Sequence, residues 1–163
     1  MDKTGLTLIA LWIHVPFVTA WIGLAIVDLV AATVPGLDDA QRGRLISWSR
    51  PFIVVGIVVI VLTGVWQTMF NPFREALSFG ALEQLRETTV YGMVLFWKHG
   101  FVLATFTMTA LIRFVLAPRL IAAAEDGSSA DQVRRSVQSL AVLNLVACFG
   151  ALLLATRMVW ELH

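Results

Sequence analysis

Charge is scarce in this chain: Asp, Glu, Lys and Arg make up 14% of its 163 residues, and the net charge is +1. A soluble domain of ordinary composition carries about 25% charged residues, so too little polar surface remains to face water all round. A net charge this small offers nothing toward nucleic acid, and no such partner is expected. Cysteine occurs once, as Cys148, which excludes an intrachain disulfide and leaves the redox compartment open. Its position inside an apolar run suits a small buried hydrophobe. Low-complexity tracts and clear internal repeats are absent. A cleavable leader is not expected either. The first apolar run follows only Asp2 and Lys3, is too long for a signal-peptide core and lacks a small-residue cleavage site.

What the chain has instead is apolar length. Hydrophobic residues make up 58% and the mean hydropathy is +0.81, against about 45–50% apolar residues in soluble domains. The excess lies in four runs, each meeting the roughly 20 residues that a helix needs to cross about 30 Å of hydrocarbon. Helices are expected over 6–34, 51–70, 90–116 and 137–160 of a single transmembrane domain, 1–163. Pro35-Gly36 ends the first, Pro51 suits the first turn of the second, Asn71-Pro72 stops it, and Pro118 follows the third. The β-branched stretch IVVGIVVIV would suggest a strand in water, but in lipid a run of this length is a helix. The fold class is therefore all-α, an integral membrane four-helix up-down bundle in a lipid bilayer. The links 36–50 and 117–136 are polar and basic. Residues 73–87 place Phe73, Leu77, Leu82 and Leu85 at helical spacing among charges, interrupted by Gly80, as in an amphipathic surface helix.

Ionisable groups inside a membrane are costly and need a partner or a use. The runs contain His14, Asp28, Lys98, His99, Arg113 and Arg157. His14 lies eight residues past Leu6, and His99 nine past Val90, on helices that run in the same direction. At 1.5 Å per residue both sit roughly 12–14 Å below the same hydrocarbon edge, and two imidazoles at one depth can serve one metal centre. Asp28 follows His14 by 14 residues, and Arg113 follows His99 by 14. That spacing is about 3.9 turns, or roughly 21 Å, so Asp28 and Arg113 are expected to pair at the far end.

Helices one and three lie on the diagonal of an up-down bundle. Edges of about 8–10 Å give a diagonal of roughly 11–14 Å, too wide for two imidazoles on a bare ion and suited to a haem b between His14 and His99. Gly23, Gly56, Gly64, Gly92 and Gly100 leave room for a flat ring or for close helix contact, and Lys98, Arg157 and Gln67 could receive propionates. The plainer alternatives stay open. Pro16 frees the Trp12 carbonyl as an acceptor for His14. Lys98, Arg113 and Arg157 could snorkel outward, and His163 is simply the solvated chain end. Trp12, Trp48, Trp66 and Trp160 suit interfacial anchors, while the deeper Trp21 and Trp97 suit core packing or a ring system. Met69, Met93 and Met158 lie toward the outer side as soft copper ligands, without a tight methionine motif.

The segment IHVPFVTAWIGLAI resembles the His-plus-Trp-x-Gly opening of the copper-resistance D (CopD-like) membrane domain and the related HemJ-type protoporphyrinogen oxidases. FWKHGFVLATFTMTALIRFVLAPRL resembles that group's third helix, and RRSVQSLAVLNLVACFGALLLA is similar to its last. The resemblance implies a four-helix unit in which His14 matches a haem-ligating histidine of HemJ-type proteins and Lys98 matches the third-helix lysine. His99 rests on the depth argument alone. The expectation is a small haem b protein in electron transfer or redox chemistry, working with a membrane or periplasmic partner protein, with homo-oligomers allowed. The alternatives are copper handling of the CopD-like kind and a cofactor-free structural subunit of a membrane complex, in which Asn144 and the glycine faces would pack.

Orientation follows from Lys and Arg near the span ends. One side holds Arg42, Arg44, Arg50, Arg119, Arg134 and Arg135; the other holds Lys3, Arg74 and Arg86. The excess places 36–50 and 117–136 in the cytoplasm and both termini outside, in a bacterial plasma membrane. Ser47→Cys and Ser128→Cys should therefore resist an impermeant thiol reagent added to intact cells. Ready labelling of both would reverse the orientation.

Overall fold

A computed structural model of the chain describes residues 3–70 and 78–160. All the regular structure among them is helical, and four spans are long and apolar enough to cross a bilayer. Only 17–28% of each span's most apolar stretch is buried within the chain, so most of that surface must meet lipid. The chain is an all-α integral membrane bundle.

The first span is α1 (Lys3–Thr33), which runs unbroken through Pro16. It ends at a turn in which Gly36 adopts φ +90°, a conformation that glycine accepts without Cβ strain. The second span combines α2 (Asp39–Ser47) and α3 (Arg50–Met69). Next comes α4 (Phe79–Thr88). The third span comprises α5 (Val90–Ala110), a π-helical segment (Leu111–Leu116) and α6 (Ala117–Glu125). The fourth is α7 (Asp131–Trp160).

Residues 36–50 and 117–136, expected as links, are largely helical. Asp38 starts α2 with a capping box: its Oδ1 accepts from the Gln41 amide at 2.6 Å, while Gln41 Oε1 accepts from the Asp38 amide at 3.1 Å. Pro118 does not stop the third span, because it falls in the first turn of α6. The π-helical segment prepares that position. The Ala117 amide donates to Ile112 O, five residues back, which leaves the Arg113 carbonyl without its usual helical partner. Arg50 Nε donates to that carbonyl at 2.9 Å. The helix thus changes register at a point where a side chain from another span satisfies the orphan group.

The described part of the expected surface helix is α4, Phe79–Thr88. Phe73, Leu77 and Arg74 lie outside the described residues, as do Asn71-Pro72 and His163. Gly80 is accommodated in the first turn of α4, after the Ser78 side chain caps the Ala81 amide at 3.2 Å. Leu82 and Leu85 are half-buried, and α4 packs on α5. A Cβ at Gly92 would lie 2.1 Å from the Leu85 carbonyl oxygen, so glycine sets this close approach. Of the span-end indoles, Trp12, Trp48 and Trp160 are 78%, 56% and 83% exposed, whereas Trp66 is half-buried against Phe70. Trp97, expected deep, is 58% exposed and belongs to the outer surface.

The helices do not form the regular square in which every consecutive pair touches. α1 packs against α3 and α7, and α5 packs against α7, but α3 and α5 have no substantial contact. Their extensions do: α2 and α6 pack closely. A Cβ at Gly43 would come within 2.7 Å of the Ala117 carbonyl oxygen, so only glycine admits this crossing unchanged. The second and third spans therefore converge at the α2–α6 end and part toward the other. Ile46, Ile112, Leu120 and Val137 fill the converged end with Ala31 and Ala32.

The same end holds the charges. Asp28 Oδ1 and an Arg113 terminal nitrogen lie 2.7 Å apart, both side chains fully buried. Arg113 does not snorkel. It also donates to Ile46 O at 2.6 Å, to the Ser49 hydroxyl and to Leu24 O at 3.3 Å, tying the third span to the first two. Arg42 donates to Ala31 O at 2.6 Å and Val34 O at 2.7 Å, and Gln138 to Ala32 O at 2.9 Å, closing the last carbonyls of α1. Removing one partner of a buried pair strands the other charge and costs about 3–5 kcal/mol. Asp28→Asn and Arg113→Gln should each destabilise by that order, and the double substitution should cost less than their sum. Simple additivity in an unfolding cycle would show that the two charges act independently.

Candidate functional site

Away from the α2–α6 end, the four spans line a partly open cavity of about 300 Å³, at the lower end of the roughly 300–1,000 Å³ of small-molecule sites. His14 of α1 and His99 of α5 both line it, with Lys98, Gln67, Tyr91 and Trp21. The matched depth inferred from spacing thus becomes a shared wall. α1 and α5 lie across the bundle from one another, with no substantial contact between them.

The two imidazoles are held alike. His99 Nδ1 lies 2.7 Å from Leu95 O. A carbonyl only accepts, so the ring must donate through Nδ1–H. His14 Nδ1 lies 2.8 Å from Thr63 Oγ1. That hydroxyl has one proton and gives it to Val59 O at 2.6 Å, so it accepts from His14 Nδ1–H. Both neutral rings are therefore the Nδ1–H tautomer, with the Nε2 lone pair free of hydrogen bonds among the described residues. Histidine ligands in metal sites are oriented in this way, one ring nitrogen committed and the other open. His14 uses Thr63 rather than the carbonyl freed by Pro16. Gly64, beside Thr63, faces the His14 ring, with Cε1 3.5 Å from the position of an added Cβ. Gly56 likewise faces Trp21 at 3.5 Å, whereas an added Cβ at Gly23 or Gly100 would meet nothing within 4 Å.

The remaining wall is rich in donors. Lys98, expected either to receive a propionate or to snorkel outward, lines the cavity as a half-buried residue and has no hydrogen-bond or ion-pair partner among the described residues. Trp21 Nε1 and Gln67 Nε2 are buried and unpartnered. Trp21 is 6% exposed and packs edge-on to Phe106, with ring centres 4.8 Å apart. Arg157 is exposed on α7 and is not part of the wall. Cys148 and Met158 line the cavity, Met69 lines a neighbouring one, and Met93 is 49% exposed. Among the described residues no three or more His, Cys, Asp or Glu side chains form a group able to hold a metal ion. The hydroxyl of Thr63 is the element that spacing missed. Thr63 is the deeper of two threonines in the apolar run of α3, and its place seven residues before the end of that run at Phe70 was the available signal.

Chemically, the cavity offers two Lewis-basic nitrogens and several donors, with no carboxylate among the wall residues. Nitrogen NMR of selectively labelled histidine at neutral pH should show protonated Nδ1 and unprotonated Nε2 for His14 and His99. Thr63→Val should alter the His14 signals alone. A protonated Nε2 at either residue would remove the tautomer assignment. No protein-family model, curated protein or solved structure matches this chain.

Proposed function

We propose that this small membrane protein is a subunit of a larger membrane assembly and holds one haem b in the cavity between α1 and α5. The supporting observation is the pair of tautomer-fixed imidazoles, His14 and His99, on one wall-lined space with both Nε2 atoms free. A haem brings its own four equatorial nitrogens and asks the protein for one or two axial ligands. The lack of a larger ligand group therefore counts against a bare ion and not against haem. Lys98 and Gln67 would face its carboxylates, and Trp21 and Phe106 supply aromatic packing. When bound, the group supplies one-electron redox chemistry. The resemblance of His14 and Lys98 to CopD-like and HemJ-type positions supports the same reading. In it the protein sits in a bacterial plasma membrane and exchanges electrons with a membrane or periplasmic partner.

A second reading, a cofactor-free subunit that only packs in its complex, draws support from the absence of a metal-ligating group among the described residues. Copper handling draws on Met158 and Cys148, which line the same cavity as the two histidines. One spectrum separates the three. Protein purified from haem-replete cells should show a Soret band, diminished strongly by His14→Ala and changed from six- to five-coordinate by His99→Ala. Both variants should still insert, because neither imidazole is needed for the apolar spans. Stoichiometric copper without haem would favour copper handling, and neither cofactor would favour the packing subunit. A spectrum altered only by Lys98→Ala would keep the site and replace its second ligand.

A further inference from the structure

The helix contacts run α3–α1–α7–α5 and leave one seam without substantial packing, that between α3 and α5. The other seams are close. A Cβ added at Gly56 of α3 would lie 3.5 Å from the Trp21 ring of α1, and one at Gly150 of α7 would lie 2.9 Å from the Phe101 ring of α5. Between α1 and α7, Trp21 and Ala25 share one buried cluster with Cys148.

The cavity that holds the two histidines faces the unpacked seam. Among its described wall residues, only Val61 and Val65 of α3, His99 of α5 and Leu152 of α7 are exposed. Val65 and His99 also line a second cavity, of about 610 Å³, between α3, α4 and α5, which places both at the α3–α5 gap. Val61, 44% exposed, lies nine residues before Phe70. That is roughly 13 Å along the helix, well inside the hydrocarbon. By contrast, the wall residues toward the end away from α2 and α6, Gln67, Tyr91 and Met158, are half-buried or buried.

We infer that the cavity is loaded sideways from the hydrocarbon, through the gap between α3 and α5, by a ligand drawn from the pool dissolved in the bilayer. This rests on the reading of the cavity as a haem site and adds the phase and direction from which haem arrives. Haem suits that route, since it is a largely apolar ring with its carboxylates on one edge. No packed seam has to part, whereas entry at any of the other three would separate helices already in contact.

The experiment reconstitutes the haem-free full chain in phospholipid vesicles, adds haem, and follows uptake by the Soret band and release into excess apomyoglobin. Val61→Trp and Val65→Trp place a large ring at the edge of the gap, at exposed positions where folding is not at stake. Uptake and release should both slow at least about tenfold, a barrier increase of about 1.4 kcal/mol. Affinity and final spectrum should stay as in wild type, because a barrier on the route acts equally in both directions. Met158→Trp, on the wall away from the gap, should leave both rates unchanged. Unchanged rates in both valine variants, slowing by Met158→Trp instead, or a changed affinity or spectrum in the valine variants would each overturn the inference and leave the haem site standing. No Soret band in wild type would overturn both.

Discussion

The arrangement depends on Arg113. A guanidinium in the hydrocarbon region must find acceptors inside the protein, and this one finds them on the first span, on α2 and at Ser49, with Asp28 as counter-ion. Three segments distant in sequence are thereby held at one end of the bundle. The same residue lies in the π-helical segment, whose altered ladder releases the Arg113 carbonyl to Arg50. The side chain and main chain of one residue therefore fasten the second and third spans together at that end. Asp28 Oδ2 and Arg113 Nε remain unpartnered in the packed interior. The cluster is consequently tightly coupled, since an incompletely satisfied network loses disproportionately when one member is removed.

The cavity follows from this fastening. Helices pinned at one end, and separated by their extensions crossing at Gly43, diverge along their length unless side chains draw them together. No such zipper links α3 to α5. α3 is held instead to α1, partly through the Thr63–His14 contact, while α5 is held to α7, where Phe101 lies close to Gly150. α1 also packs on α7, so the contacts run α3–α1–α7–α5 and the space remains open only between α3 and α5. A bilayer supplies little hydrophobic force to close it, because lipid chains are as apolar as the walls. The divergence is therefore compatible with a stable bundle.

Sequence and structure agree where one rule dominates. Apolar length sets the spans, because unsatisfied backbone in lipid leaves helix as the available state. The repeated 14-residue offset anticipated Asp28–Arg113, since helical pitch alone brings such positions to similar depth and face. The same logic put His14 and His99 at one level. It did not reveal α2 and α6, because polar helices at the membrane edge carry no long apolar run and depend on caps and on contacts such as Gly43–Ala117. Nor could it anticipate the π-helical register, which is a joint product of Pro118, Arg113 and an arginine 63 residues away. Lys98 was open to two placements, outward snorkelling or a cofactor site, because the cavity that its residue lines exists only in the assembled bundle.

Arg113, fully buried, and Lys98, half-buried, are treated in opposite ways along the third span, and the contrast bears on function. Arg113 is paired and bonded on several sides, as a structural charge should be. Lys98, nearer the other end, lines a cavity with neither a carboxylate nor a hydrogen-bond acceptor committed to it among the described residues. On the same cavity wall, Trp21 Nε1 and Gln67 Nε2 are donors without acceptors, and the imidazole Nε2 atoms lone pairs without donors, among the described residues. Unmet groups of both kinds on one surface raise the cost of leaving it bare. An occupant with negative or strongly accepting edges and a central acid for nitrogen would satisfy both sets together. A simple acyl chain would satisfy neither, so lipid filling alone does not account for the composition of this wall.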